Sequence, residues 1–280
     1  MSVKKIDKKN FLTRLVFGTG ILVVVLVLGI LGGWWFYGFT ALISLIGLWE
    51  FYHVFGIDKN PQGIAGYGIA VAYWAFLALK KEDFLFPTLA LGVIVLMIMY
   101  VLRFEKTSSI NAMASVFGVL YAVVLMSFLY RVRAMEDGTY LIWLTFISSW
   151  GADTCAYCVG ILFGKHKMAP VLSPKKSWEG FIGGVLGAAL LGGLYGFIFR
   201  SHFQMVESPV LAGALLCGVA AVISVFGDLT ASAFKRNHDV KDYSHLIPGH
   251  GGILDRFDSC IFVAPVIFYL AQLFVKGYIH

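Results

Sequence analysis

Charge is scarce in this 280-residue chain: Lys, Arg, Asp and Glu make up only 14% of it, against 59% apolar residues. A soluble domain carries about 25% charged residues, so a water-facing surface of ordinary composition is excluded. No long polar segment exists to build a second domain, and a single membrane domain over residues 1–280 is expected. No nucleic-acid-binding motif is present, so the net charge of +6 reads as membrane orientation and contact with anionic lipid. The cysteines are few, and Cys155, Cys158, Cys217 and Cys260 supply no disulfide framework. Cys155 and Cys158 form a Cys-x-x-Cys, but zinc would need two further thiolate or imidazole ligands. All four are therefore expected to be small buried hydrophobes. Internal repeats and low-complexity segments are also lacking.

Apolar runs dominate what is there. A helix crosses a bilayer with about 20 apolar residues. Nine candidate spans lie near 12–32, 34–52, 64–79, 84–102, 110–130, 139–162, 179–199, 209–231 and 259–276. They predict an all-α, polytopic helical bundle in the cell membrane, with antiparallel neighbours. Lys4, Lys5, Lys8, Lys9 and Arg14 precede the first run, which continues past Gly29 without a small-residue cleavage site. It is expected to be a retained span, not a signal peptide. With the N-terminus in the cytoplasm, 16 Lys and Arg fall on the cytoplasmic side and 6 outside, as the positive-inside rule favours. Both long polar loops, 163–178 and 232–258, then face the cytoplasm. In the seventh span Gly180/Gly184, Gly183/Gly187 and Gly192/Gly196 are small-xxx-small pairs, which predict close helix approach within the bundle or between subunits.

Asp153 and Asp228 each interrupt an otherwise uncharged run of span length. A carboxylate at such depth costs about 2.5 kcal/mol or more, so it persists only beside a partner or a polar cavity. An ion pair that locks two helices is one reading. A functional site is the other, and the nearness of both acids to the polar loops favours it. In the first loop, Lys165, Lys167, Lys175 and Lys176 suit phosphate, although juxtamembrane lysines that only fix topology would look the same. Pro174 should end extended structure before a helix begins at Ser177 or Trp178, with Glu179 in its first turn.

The second loop is the polar centre of the chain. Eleven of the twenty-seven residues from Ser232 to Asp258 are Lys, Arg, His, Asp or Glu. Carboxylates suit hard cations such as Mg²⁺, while Lys and Arg suit phosphate oxygens. Asp255 and Asp258 would share a helix face, and Asp228 from another helix would complete a Mg²⁺ shell. His250, in Pro248-Gly-His-Gly-Gly252, is a candidate phosphate contact. His238 and His245 read equally well as surface residues, and a merely solvated loop would share much of this composition.

Ser232, Phe234, Lys235, Arg236, Lys241, Asp242, Ser244, Ile247, Pro248, His250, Gly251, Gly252, Ile253, Asp255, Arg256, Phe257 and Asp258 fit one spacing pattern without departure. It is that of the phosphatidate cytidylyltransferases (CDP-diacylglycerol synthases), which the chain resembles over about residues 145–260. The N-terminal spans resemble that family only in hydropathy. The resemblance implies transfer of CMP from CTP to phosphatidic acid, with release of pyrophosphate. It implies Mg²⁺ with a second cation such as K⁺, a homodimer, and a cytoplasm-facing cavity open sideways to membrane lipid. The N-terminal spans 12–130 would then precede a catalytic half over 139–276. By the same resemblance Asp228 and Asp255 bind the metal, with Asp258 beside them. Lys235, Arg236 and Arg256 join them in catalysis, while Ser232, Lys241, Asp242, His250, Gly251, Gly252, Asp153, Lys175 and Lys176 contact substrate. The chemistry agrees: a phosphate nucleophile is already anionic near neutral pH, so no Ser-His-Asp set is needed, and the difficulty is bringing two polyanions together.

A CDP-archaeol synthase or a polyprenol kinase would differ in pocket length and lipid linkage. A CDP-alcohol phosphotransferase would need Asp-Gly-x-x-Ala-Arg, which is absent. A transporter with Asp153 and Asp228 as coupling-ion ligands would show inverted repeats of broken spans, and none is detected.

Overall fold

A computed structural model describes residues 8–274, with side chains from Thr13 on except Arg14. Lys4, Lys5, Lys276 and the end of the ninth predicted span lie outside the described residues. Nine helices make up the described chain: α1 Lys8–Leu31, α2 Gly33–Val54, α3 Pro61–Ala78, α4 Leu85–Leu102, α5 Ser109–Ala134, α6 Gly138–Phe163, α7 Trp178–Ile198, α8 Pro209–Asn237 and α9 Leu254–Gln272. Five stretches, Glu82–Leu102 with α4 and the helices α5 to α8, are long and apolar enough to cross a membrane. The chain is an all-α, multi-pass membrane protein, and a short hairpin, β1 Lys167–Ala169 and β2 Ser173–Ser177, is an addition to the predicted architecture.

Helix ends depart from the apolar runs at the two places that carry chemistry. α8 continues to Asn237 and α9 begins at Leu254, so Lys235, Arg236, Asp255 and Asp258 sit on helical turns. Hydropathy marks the thickness of the apolar layer, whereas a helix continues for as long as its backbone bonds are satisfied. The predicted start of α7 holds: Ser177 caps it by accepting from the Gly180 N–H at 3.2 Å.

Small residues bring α6, α7 and α8 together. A Cβ on Gly184 would lie 2.9 Å from the Ala156 Cβ and 3.0 Å from the Ala152 carbonyl of α6. A Cβ on Gly192 would strike the Gly213 carbonyl and the Cys217 side chain of α8. The glycine pairs are thus used within the chain. Aromatic rings tie the N-terminal helices to α8: Phe234 lies 5.6 Å from both Phe51 of α2 and Phe117 of α5. The cysteine expectation needs correction, because only Cys217 and Cys260 are buried. Cys155 is half-buried against Gly187, and Cys158 is exposed on the outward face of α6. A helix facing lipid needs no burial to hold a weakly polar thiol, so an apolar context did not mean an interior position.

Two helices contain π-helical turns, Val119–Val124 in α5 and Ile147–Gly151 in α6. The second precedes Asp153. Within it the Ser149 Oγ lies 3.1 Å from the Cys260 Sγ, and the Trp150 Nε1 donates to the Arg256 carbonyl at 3.2 Å. The π turn therefore locks α6 to α9 one turn before the acid. At the far end of the bundle Arg133 donates to the Gly29 carbonyl at 2.7 Å, which holds α1 to α5.

Candidate active site

The predicted acids meet lysines before they meet one another. On α8, Asp228 forms an ion pair with Lys176 of β2, Nζ to Oδ2 at 2.6 Å, without hydrogen-bond geometry. Two turns further along α8, Lys235 donates to the Asp255 Oδ1 at 2.5 Å. The Asp255 Oδ2 accepts from the Tyr243 and Gly252 N–H groups, both at 2.9 Å. Asp255 is thus a buried bracket with three donors. Asp258, one turn on, accepts from the Ser259 N–H at 2.7 Å. It lines a cavity of about 250 Å³ with Asp153, Asp255, His250 and Arg256. Asp153, Asp228 and Asp258 lie close enough to feel one another's charge.

The glycine turn is the second component. The Ile247 N–H donates to the Gly251 carbonyl at 2.9 Å, and the His250 N–H returns to the Ile247 carbonyl at 2.9 Å. Gly251 has φ of 84°, which only glycine adopts at low cost. A Cβ there would also stand 2.9 Å from the Asp255 Oδ2. The turn borders a cavity of about 420 Å³ with Lys241, Asp242, His245 and Arg256. Behind it, burial raises the Tyr243 phenol well above its usual pKa, and the neighbouring Tyr121 and Asp255 add to the shift.

The hairpin is the third. Between it, α6 and α7 lies a cavity of about 610 Å³. Asp153, Asp228, Lys167, Lys175 and Lys176 occupy its polar part, while Ala156, Ile161, Phe181 and Val225 give it apolar walls. The hairpin is fixed to α7 by Glu179, which accepts from the Lys165 N–H at 3.1 Å and lies 2.6 Å from the His166 Nδ1. The three cavities form a series. Asp153 borders the hairpin and acid cavities, and His250 with Arg256 borders the acid and glycine-turn cavities.

Most of the predicted site residues are thereby gathered. Ser232, Lys235, Arg236 and Gly252 line none of these three cavities; Arg236 is exposed and bonds weakly to the Val240 carbonyl at 3.5 Å. Gly252 lies behind the turn, against Glu50. Among the described residues no three His, Cys, Asp or Glu side chains are arranged to hold a metal ion. Three residues escaped the sequence reading: Glu50, Tyr243 and Trp150. Glu50 carried a legible signal, since it is an acid near the end of an apolar run, as Asp153 and Asp228 are. Tyr243 and Trp150 carried none, because an aromatic residue is ordinary in a membrane helix or its flanking loop.

The sequence profile of the Cytidylyltransferase family matches residues 12–274. This chain belongs to that family. The phosphatidate cytidylyltransferase of Bacillus subtilis (strain 168) is 31% identical over 84% of this chain and 89% of its own length. That of Haemophilus influenzae is 49% identical, but over 47% of this chain and 46% of its own length. That of Staphylococcus aureus (strain COL) is 39% identical over 60% of this chain and 62% of its own. The family match takes in the N-terminal helices, where residue patterns alone had shown only hydropathy.

Proposed function

We propose that this chain is a phosphatidate cytidylyltransferase, which forms CDP-diacylglycerol and pyrophosphate from CTP and phosphatidic acid. The observation that carries this reading is the series of cavities. A polar one under the glycine turn suits a nucleoside triphosphate. A larger, part-apolar one rimmed by lysines suits a lipid phosphate. The acids lie where the two meet.

A phosphatidate oxygen attacks the α-phosphorus of CTP. A new P–O bond forms, the bond from that phosphorus to the bridging oxygen breaks, and pyrophosphate leaves with the electron pair. Lys175 and Lys176 hold the lipid phosphate at the hairpin. Lys241, His250 and Arg256 hold the triphosphate, and Lys235 stands beside Asp255 at the join. The Arg256 Nε is buried without a hydrogen-bond acceptor among the described residues, which suits a donor that meets phosphate. The donor set fits Mg²⁺: hard carboxylate oxygens, and no closed protein cage, as expected of an ion that takes one or two carboxylates and completes its shell with phosphate and water. Of the three predicted acids, Asp228 and Asp258 would hold it, while Asp255, whose two oxygens already accept from Lys235, Tyr243 and Gly252, would frame the site; the ion would neutralise phosphate oxygens. A second cation such as K⁺ and a homodimer belong to the same proposal, on the family resemblance.

The distribution of Lys and Arg supports a single membrane domain with its site, on the C-terminal half, at the cytoplasmic face. In a background without the native cysteines, Asp239→Cys should be labelled from the cytoplasmic side of sealed vesicles, and labelling only from outside would reverse the orientation. The reaction itself is tested by incubating the purified chain with CTP, phosphatidic acid and Mg²⁺. CDP-diacylglycerol and pyrophosphate should appear in equal amounts, and folded protein that forms neither would overturn the proposal.

A further inference from the structure

Glu50 lies on α2, fully buried, and makes no ion pair with Lys, Arg or His among the described residues. Its partners all come from the far end of the sequence. Its Oε1 accepts from the Ser244 Oγ at 2.6 Å and the Ile253 N–H at 2.9 Å, and its Oε2 accepts from the Leu254 N–H at 2.7 Å. These amides begin α9, where free N–H groups and the helix dipole favour an anion. That compensation lets a carboxylate stay in an apolar bundle without a cation.

The packing around it is equally specific. A Cβ on Gly252 would overlap the Glu50 carboxylate, and a Cβ on Gly47 of α2 would stand 3.0 Å from the Leu254 Cδ2. The Gly252 N–H goes instead to Asp255. Two carboxylates, one from α2 and one from α9, therefore hold three successive amides, Gly252 to Leu254, between them. The glycine turn lies just before these amides and Asp255 just after.

We propose that Glu50 is a positioning residue for the reaction, one that sets the 238–253 loop and the first turn of α9 against the nucleotide. It acts on the CTP side. Its hydrogen-bond partners Ser244, Ile253 and Leu254 line neither the glycine-turn nor the hairpin cavity themselves, but their close neighbours in the chain, Asp242, His245, Gly251 and Arg256, line the glycine-turn cavity. The N-terminal helices thus reach the chemistry through the Glu50 carboxylate, besides Gly18, Ile21 and Leu22 of α1, which line the acid cavity.

Part of the test rests on the proposed activity and part does not. In Glu50→Gln the amide nitrogen turns a donor towards another donor, leaving buried polar groups opposed. The KM for CTP should rise about tenfold and kcat should fall, with the KM for phosphatidic acid moving less than about twofold. Ser244→Ala, which leaves the Glu50 side chain in place, should shift the KM for CTP the same way by about threefold. A purely structural role would reduce only the amount of active protein and leave both KM values unchanged. The substrate-free arm is limited trypsin digestion of the full chain: cleavage after Lys241 should quicken in Glu50→Gln. Unchanged KM values, equal shifts in both, or unaltered cleavage would overturn the inference. Should Glu50→Gln fail to accumulate, an unchanged KM for CTP in Ser244→Ala overturns it. Should the unmodified chain form no CDP-diacylglycerol, the reaction has failed and the trypsin arm still decides the anchor.

Discussion

The two lysine–aspartate pairs of the site are built in opposite ways. Lys235 and Asp255 are buried, with side chains 11% and 2% exposed, and two backbone amides complete the carboxylate. Lys176 and Asp228 are 21% and 29% exposed at the wall of the largest of the three cavities. The first pair joins α8, the loop and α9 into a frame. The second is a contact between a hairpin and a helix that a bound phosphate can rearrange at little cost. The difference teaches that like pairs serve unlike ends: burial turns one into architecture, and access leaves the other for substrate.

Substitutions at each pair sharpen that contrast. The largest effect is expected at Asp255→Asn, which leaves the Lys235 ammonium buried and unpaired, a change that costs about 3–5 kcal/mol. Both the thermal midpoint in detergent and turnover should collapse; a normal midpoint would show that the pair is not part of the frame. Asp228→Asn comes next. It should keep the midpoint and lose about a thousandfold in turnover, equivalent to about 4 kcal/mol of transition-state stabilisation, with an altered Mg²⁺ dependence. Near-normal rates would remove Asp228 from the reaction.

Lys176→Ala is a milder break. A partly exposed ion pair contributes below about 1 kcal/mol to stability, so the midpoint should hold. The KM for phosphatidic acid should rise about tenfold while that for CTP stays near its normal value, as loss of one charge-assisted phosphate contact predicts. A rise in the CTP value instead would assign the cavities the other way round. The smallest effect is expected at Asp239→Asn. Asp239 has φ of 54°, a conformation that asparagine tolerates, and its side chain lines none of the three cavities. Activity and midpoint should both be retained, and a large loss would extend the site beyond the glycine turn.

Much of this was legible in the residues. Each of the nine apolar runs meets a helix among the described residues, and five of these stretches are long and apolar enough to cross a membrane, because leaving backbone groups unbonded in lipid is costly. Asp153 and Asp228 were visible because a charge inside such a run needs a reason. The glycine turn was visible because its residues have few other uses. The helix limits at Asn237 and Leu254 were not, since polar helical turns outside the apolar layer carry no hydropathy signal.

By itself, then, the sequence determined an all-α membrane chain and the list of groups suited to bring two phosphates together, because hydrophobicity and side-chain chemistry are properties of residues taken singly or in short runs. Tertiary structure decided which acid is a frame and which faces a cavity. It placed Cys158 outside the core and inserted a π turn before Asp153. It also set Glu50 against amides some two hundred residues away. Those outcomes depend on which helix faces meet, and a carboxylate's role in an apolar bundle follows from the donors that packing brings to it.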